Sequence, residues 1–150
     1  MPLSFTDNGD GTVTDDNTGL VWEKLSMDGS VHDRTKTYTW SQAFTGHVAT
    51  LNGGSFAGHT DWRVPNVKEL LSIANYQNAT PAVSSAFNAN CTSVGCTVLT
   101  CSCTASNGFY WSSTSYASPT SAWYVLFDFG NSNATAKSAS FVTRAVRGGS

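Results

Sequence analysis

Residues 6–24, TDNGDGTVTDDNTGLVWEK, decide between two kinds of fold. The piece DNGDGTV resembles the first half of a calcium-binding helix–loop–helix site, which would make the start of the chain helical. Such a loop needs oxygen ligands at positions 1, 3, 5, 7, 9 and 12, with glycine at 6 and a bidentate Glu at 12. When Gly11 is set on the glycine position, Asn8 and Asp10 fall on positions 3 and 5. Position 1 then holds Thr6 and position 12 holds Asn17. The bidentate carboxylate is missing, and no helical periodicity flanks the loop. The hairpin reading fits better: Asn8-Gly9 and Asp10-Gly11 tolerate positive φ between the short runs Ser4–Asp7 and Thr12–Asp15. Calcium held outside this geometry by Asp7, Asp10, Asp15 or Asp16 is the lesser alternative.

Two helices follow. In TWSQAFTGHVATLN (39–52), Thr39 and Gln42 form a capping-box pattern, and Trp40, Ala43, Phe44, Val48 and Leu51 recur at helical spacing. In GHTDWRVPNVKELLSIANY (58–76), Asn66 and Glu69 repeat the capping pattern after Pro65, and Val67, Leu70, Leu71 and Ala74 form the apolar stripe. From Gln77 to Gly108 the chain turns rich in Ser, Ala, Asn and Thr. Three strand-like runs close it: FYWSST (109–114), AWYVLFDFG (122–130) and SFVTRAVRG (140–148). In the middle one, Trp123, Val125, Phe127 and Phe129 alternate with Tyr124, Leu126 and Asp128. NSNATAKSAS (131–140) reads as a polar turn between the last two. Strands at both ends and helices early in the chain make one α+β domain over residues 1–150. Its expected core holds Trp22, Trp40, Phe44, Leu51, Trp62, Leu70, Leu71, Trp111, Trp123, Val125 and Val146.

The 150 residues suffice for a single domain with a real core. Net charge is −2 with only 8 Lys plus Arg, which argues against a nucleic-acid partner. Charged residues make up 12% of the chain and aromatics another 12%, with hydroxyls and amides in place of the usual ions. That balance is common in extracellular β-rich domains. No apolar run reaches the ~20 residues of a membrane span, so membrane insertion is not expected. The start, MPLSFTDNG, lacks a secretory pattern, so the expectation is an export signal outside this stretch or another route, such as display on a virion.

Cys91, Cys96, Cys101 and Cys103 lie within CTSVGCTVLTCSC (91–103). Their gaps of four, four and one make a poor zinc knuckle. Two disulfides stapling one loop fit better, with zinc or free thiols as the alternatives. Three pairings are open, and a Cys101–Cys103 bridge would be strained. Disulfides would place the protein in an oxidising compartment.

No catalytic constellation emerges. His32, His47 and His59 are scattered, and His47 falls near the apolar stripe of the first helix. Ser112 and Ser113 lack a nucleophile elbow. Asp61 reads as the partner of a neighbouring Arg, and Glu69 as a helix cap. Arg144 and Arg147 alternate on a strand, where their stems would cover rings and their forks bind carbonyls or carboxylates. No cofactor motif is present, and an enzyme is not expected.

Taken in order, FTDNGDGTVTDDNTGLVWEK, TWSQA, AGHTDWRVPNVKEL, YWSSTSY, AWYVLFDFG and RAVRGG resemble the Legionella collagen-like protein C-terminal domain family. RVPNxxE and the closing VRGG are also similar to the formylglycine-generating-enzyme branch of the C-type-lectin fold. The resemblance implies a C-type-lectin-like domain: two helices flank a twisted antiparallel sheet, and the termini meet. Many relatives carry a Cys seven residues after the Trp of the first helix and another in the final strand. Here those places hold His47 and Ala145, as expected if the two pair in relatives, so the cysteine cluster reads as an insertion of this chain.

Relatives include glycan-binding surface adhesins and the variable proteins of diversity-generating retroelements. The implied function is a non-catalytic recognition domain on a cell or virion surface, binding a protein or glycan. A glycan adhesin or a trimerising cap on a fibre is the alternative. The expected ligand-binding residues are Tyr116, Ser118, Thr120, Tyr124, Asn131, Asn133, Lys137, Ser140 and Phe141. They lie in or beside turns, mix rings with hydrogen-bonding groups, and fall where relatives vary.

Overall fold

The opening stretch folds as the hairpin that its glycines predict. In the computed structural model, which describes residues 2–78, 81–104 and 108–148, β1 (Phe5–Asp7) pairs antiparallel with β2 (Thr12–Asp15). Gly9 and Gly11 take φ of 76° and 94°. Asp7 and Asp10 each accept the N–H two residues on, from Gly9 at 2.9 Å and Thr12 at 3.1 Å. These are Asx turns, in which the side chain stands in for a backbone acceptor. Asp15 accepts the N–H of Asn17, and Asp16 accepts the hydroxyls of Ser4 and Thr6. The acids of this stretch therefore build its turns.

β2 pairs with β3 (Val21–Glu23), and β3 pairs with β7 (Val146–Arg147), giving the sheet order β1-β2-β3-β7. The chain's first and last strands thus share one sheet. Val13, Trp22 and Val146 stand opposite one another on one face and are fully buried. A second sheet runs β4 (Phe109–Ser115), β5 (Ser121–Leu126), β6 (Asn131–Ala136), all antiparallel. Tyr110 and Val125 face the core shared with Trp22, Leu70, Ile73 and Phe87. Trp111 and Ala122, on the opposite face, enter a second core with Ala43, Leu51, Trp62 and Ala145. The second sheet is thereby covered on both sides over part of its area.

Both capping boxes form at their predicted places. The Thr39 N–H donates to Gln42 Oε1 (3.1 Å) and starts α1 (Trp40–Gln42). The helix continues through a π-helical turn, Ala43–Val48, into α2 (Ala49–Gly53). Ala43, His47, Val48 and Leu51 are buried, whereas Trp40 and Phe44 are only partly covered. Asn66 and Glu69 exchange hydrogen bonds (2.8 and 2.9 Å) at the start of α3 (Val67–Ser72). Of the expected core, Trp22, Leu51, Trp62, Leu70, Trp111, Val125 and Val146 are buried. Leu71 and Trp123 are partly buried.

The structure corrects three expectations. The antiparallel strands form two sheets instead of one. NSNATAKSAS is not a turn: its first six residues are β6, paired with β5 from Ser121↔Ala136 to Leu126↔Asn131. The turn lies earlier, at Phe127–Gly130, where Gly130 takes φ 73°. An edge strand needs only one paired side, so its polar side chains cost little there. Finally, the run 140–148 is a strand only at Val146–Arg147, with single bridges at Phe141 and Val142. Its regularity is broken where Arg144 turns its whole side chain inward, 1% exposed.

The cysteines form two disulfides, Cys91–Cys103 and Cys96–Cys101, which avoids the strained C-x-C bridge. Within the stretch Gln77–Gly108, residues 79–80 and 105–107 lie outside the described residues, as do Met1, Gly149 and Ser150.

Gly11 meets two constraints at once. Beyond its positive φ, a Cβ there would sit 2.7 Å from Val98 Cγ2 and 3.1 Å from the Phe56 ring. Gly11→Ala is expected to destabilise the fold by about 1–3 kcal/mol in urea unfolding. Gly9, with open space around its Cβ position, should tolerate the same change better. Equal losses at both positions would contradict the packing argument.

Candidate functional site

The β4–β5–β6 sheet carries Tyr124, Asn131 and Asn133 among the expected ligand-binding residues, and the other six lie in the segments that flank its strands. On the face whose Trp111 and Ala122 enter the second core, Tyr124 stands opposite Trp111 on one side and Asn133 on the other, with Leu126 opposite Asn131, so this face opens only toward β6. Phe141 lies over this face, its ring centroid 4.7 Å from Trp111, 5.0 Å from Phe109 and 5.1 Å from Tyr124. Asn131, Asn133 and Ser140 are exposed. Asn133 Oδ1 accepts the N–H of Ala134 (2.8 Å), which shields one donor of the edge strand.

The remaining expected residues sit at the far end of the sheet. Ser118 and Thr120 lie in the exposed β4–β5 turn, their hydroxyls 3.2 Å apart. Lys137 joins them through its N–H to the Thr120 carbonyl, but its ammonium is occupied. It donates to Ser115 Oγ (3.0 Å) and lies 4.0 Å from the centre of the Trp40 ring. Tyr116 packs edge-on against Trp123 (5.4 Å), on the sheet face opposite Tyr124. The structure therefore gathers Tyr124, Asn131, Asn133 and Phe141 on one face, and Ser118, Thr120 and Lys137 at its end. Tyr116 stands apart.

Two features escaped sequence reasoning. At the β5–β6 turn, next to Asn131, Phe129 is 67% exposed and Tyr76 is 71% exposed. The Tyr76 hydroxyl donates to the Gly130 carbonyl (2.8 Å), which fixes its ring at the surface. AWYVLFDFG read as one strand that includes Phe129, but β5 ends at Leu126 and Phe129 falls in the exposed turn.

The second feature is a buried carboxylate. Glu23 is fully buried, with His32 Nδ1 2.6 Å from one oxygen and His47 Nε2 2.7 Å from the other. The Ala145 N–H donates to the same oxygen as His47 (2.9 Å), and the Tyr38 hydroxyl lies 3.4 Å from His47 Nδ1. Burial alone pushes the Glu23 carboxyl up. The charge and hydrogen bonds of His47 and His32 outweigh it and bring the group down to about 2. Beside it, Arg144 donates to the carbonyls of Glu23 and Cys103 and to Thr104 Oγ1, and lies over the Phe87 ring. Arg147 binds the Asp61 carboxylate, the kind of partner expected for both, and Arg63 holds Glu69 bidentately, a pair the sequence had not indicated. The three residues Glu23, His32 and His47 are far apart in sequence. The only signal was a Glu next to a core Trp in a short strand.

The sequence profile of the Lcl C-terminal domain matches residues 11–147. The chain belongs to the Lcl C-terminal domain family. No curated protein matches it in sequence. In this Lcl domain, positions 47 and 145, where the resemblance puts a cysteine pair in relatives, meet at one oxygen of Glu23. Here a carboxylate–imidazole contact fills that junction.

Because the folded carboxyl of Glu23 lies below its unfolded value of 4.5, its contribution is present above about pH 4.5 and is lost as pH falls toward 2. Acid titration of folding stability should show a loss of about 3 kcal/mol across that window. Glu23→Gln should lower stability at neutral pH and flatten this part of the profile. An unchanged acid profile in the variant would remove Glu23 as its source.

Proposed function

We propose that this domain is a non-catalytic recognition module whose ligand-binding surface is the β6 edge of the Tyr124 face of β4–β5–β6 with its adjoining turns. The observation that carries the reading is the edge strand β6, which exposes Asn131 and Asn133 beside the rings of Tyr124 and Phe141. Exposed Phe129 and Tyr76 extend the surface at one end, and Ser118 and Thr120 at the other. Rings for contact area and amides and hydroxyls for adaptable hydrogen bonds are the chemistry of antibody-like paratopes. These side chains stand on a sheet whose far face is packed by Tyr110 and Val125, so they can change while the fold persists.

A C-type-lectin-like architecture accords with the first and last strands sharing a sheet and with a long stapled loop before a second sheet. Display outside the cell or on a virion accords with the two disulfides. The internal engagement of Glu23, His32 and His47 favours a structural role for these groups over catalysis. A protein ligand, and retargeting of the kind known for diversity-generating retroelements, is the reading that the low cation count favours. A sulfated glycan would want a basic groove.

The test is a displayed library with Ser118, Thr120, Asn131, Asn133 and Ser140 randomised together and selected against an arbitrary soluble protein. Specific binders should emerge whose stability stays within about 0.5 kcal/mol per substitution of the parent. Recovery of no binder, or of folded clones only with the parental residues, would contradict the proposal. Salt-sensitive retention of the parent on heparin would favour the glycan alternative.

A further inference from the structure

The two disulfides are adjacent. The sulfurs of Cys96, Cys101 and Cys103 all lie within 4.8 Å of one another, and Cys91 is bonded to Cys103. Three cysteine sulfurs therefore occupy one small volume, and the fourth, that of Cys91, lies one bond away from it. A tetrahedral zinc thiolate site places its sulfurs about 3.8 Å apart, given Zn–S distances near 2.3 Å. Parting the two bonded pairs and turning the Cys91 sulfur toward Cys96 and Cys101 would convert one arrangement into the other.

Contacts that do not depend on sulfur bonds hold the loop in shape. Ala89 and Ser102 exchange backbone hydrogen bonds of 2.7 and 2.9 Å. The Cys103 N–H donates to the Leu25 carbonyl (2.9 Å), and the Met27 N–H to the Cys96 carbonyl (3.0 Å). Ser102 Oγ donates to the Ala86 carbonyl. Reduction of both disulfides thus leaves four thiols near their present places. Cys101 and Cys103 are shielded from water, and Cys91 and Cys96 are partly open, which gives a metal a way in. The buried Arg144 guanidinium, bonded to the Cys103 carbonyl and Thr104 Oγ1, sets a positive charge beside the cluster. That charge favours thiolates and offsets the double negative charge of a tetrathiolate zinc centre.

We propose that Cys91, Cys96, Cys101 and Cys103 form a redox-exchangeable zinc site. In a reducing environment the four thiolates hold one Zn²⁺, and on oxidation they release it and form the two disulfides. With a low-molecular-weight disulfide as oxidant the step balances. The zinc tetrathiolate, two disulfide molecules and four protons give free Zn²⁺, the two protein disulfides and four small thiols. The zinc form would shape the loop before the chain meets an oxidising compartment.

The experiment uses the full chain, reduced and kept under anaerobic conditions, titrated with Co²⁺ and then with Zn²⁺. Thiolate-to-cobalt charge-transfer and tetrahedral ligand-field bands should saturate at one metal per chain and disappear as Zn²⁺ displaces the cobalt. Oxidised glutathione should then release the zinc to a chromophoric chelator as two disulfides form. The double variants Cys91→Ser/Cys103→Ser and Cys96→Ser/Cys101→Ser should each lose the tetrathiolate spectrum. Absence of saturable bands would overturn the proposal, as would persistence of the spectrum in either double variant. Loss of the aromatic circular dichroism on reduction that zinc fails to restore would do so too. None of these outcomes bears on the β4–β5–β6 surface, so the two proposals fail separately.

Discussion

The fold turns on one buried carboxylate. Glu23 sits at the end of β3, and its two oxygens are met by His32 from the following loop, His47 from the π-helical turn and the backbone of Ala145 before β7. A charge in that position would be prohibitively desolvated without such partners. Loss of one partner strands the rest, because His47 and the Ala145 N–H are buried against the same group. The contact therefore couples β3, the helix and the C-terminal segment into one unit, and Arg144 extends it to the cysteine loop through the Glu23 and Cys103 carbonyls.

From that junction the recognition surface is two steps away. The helix that carries His47 also carries Trp40, whose indole N–H donates to the Ser112 carbonyl on β4 (2.9 Å). Tyr38 precedes the helix and accepts the Trp111 indole N–H at its carbonyl (2.7 Å), while its backbone bridges to Phe141. Phe141 then covers Tyr124. Directional bonds from three indoles to backbone carbonyls, with Trp62 to Phe56 as the third, position the aromatic groups without charges. This explains how a chain with so few ions keeps a defined outer sheet on which polar side chains can stand exposed.

What the sequence revealed was local. The hairpin glycines, both capping boxes and the apolar stripes depend on residues within a few positions of one another, and all of these features form. Long-range convergence was illegible. Nothing in the spacing of Glu23, His32 and His47 marks a shared site, because a three-residue strand and a π turn place them together. The β6 strand was missed because Asn131–Ala136 has the composition of a turn and becomes a strand only by pairing with β5. The disulfide pairing was one of three until the loop's path brought Cys91 to Cys103. Of the candidate ligand-binding residues, those on β5 and β6 share a face because alternation survives even where strand ends are misjudged. Tyr116 falls on the other face by the same alternation, since Trp111 and Ser115 are the β4 residues that pair on the Tyr124 face.

The central claim is a division of labour between a constrained interior and a permissive outer sheet. A protease-resistance scan of every single substitution in the displayed domain tests it directly. The account predicts that Ser118, Thr120, Asn131, Asn133 and Ser140 accept most side chains without loss of resistance. Glu23, His47, Trp62, Trp111 and Arg144 should accept almost none. Broad intolerance along β6, or free substitution at Glu23 and His47, would contradict it.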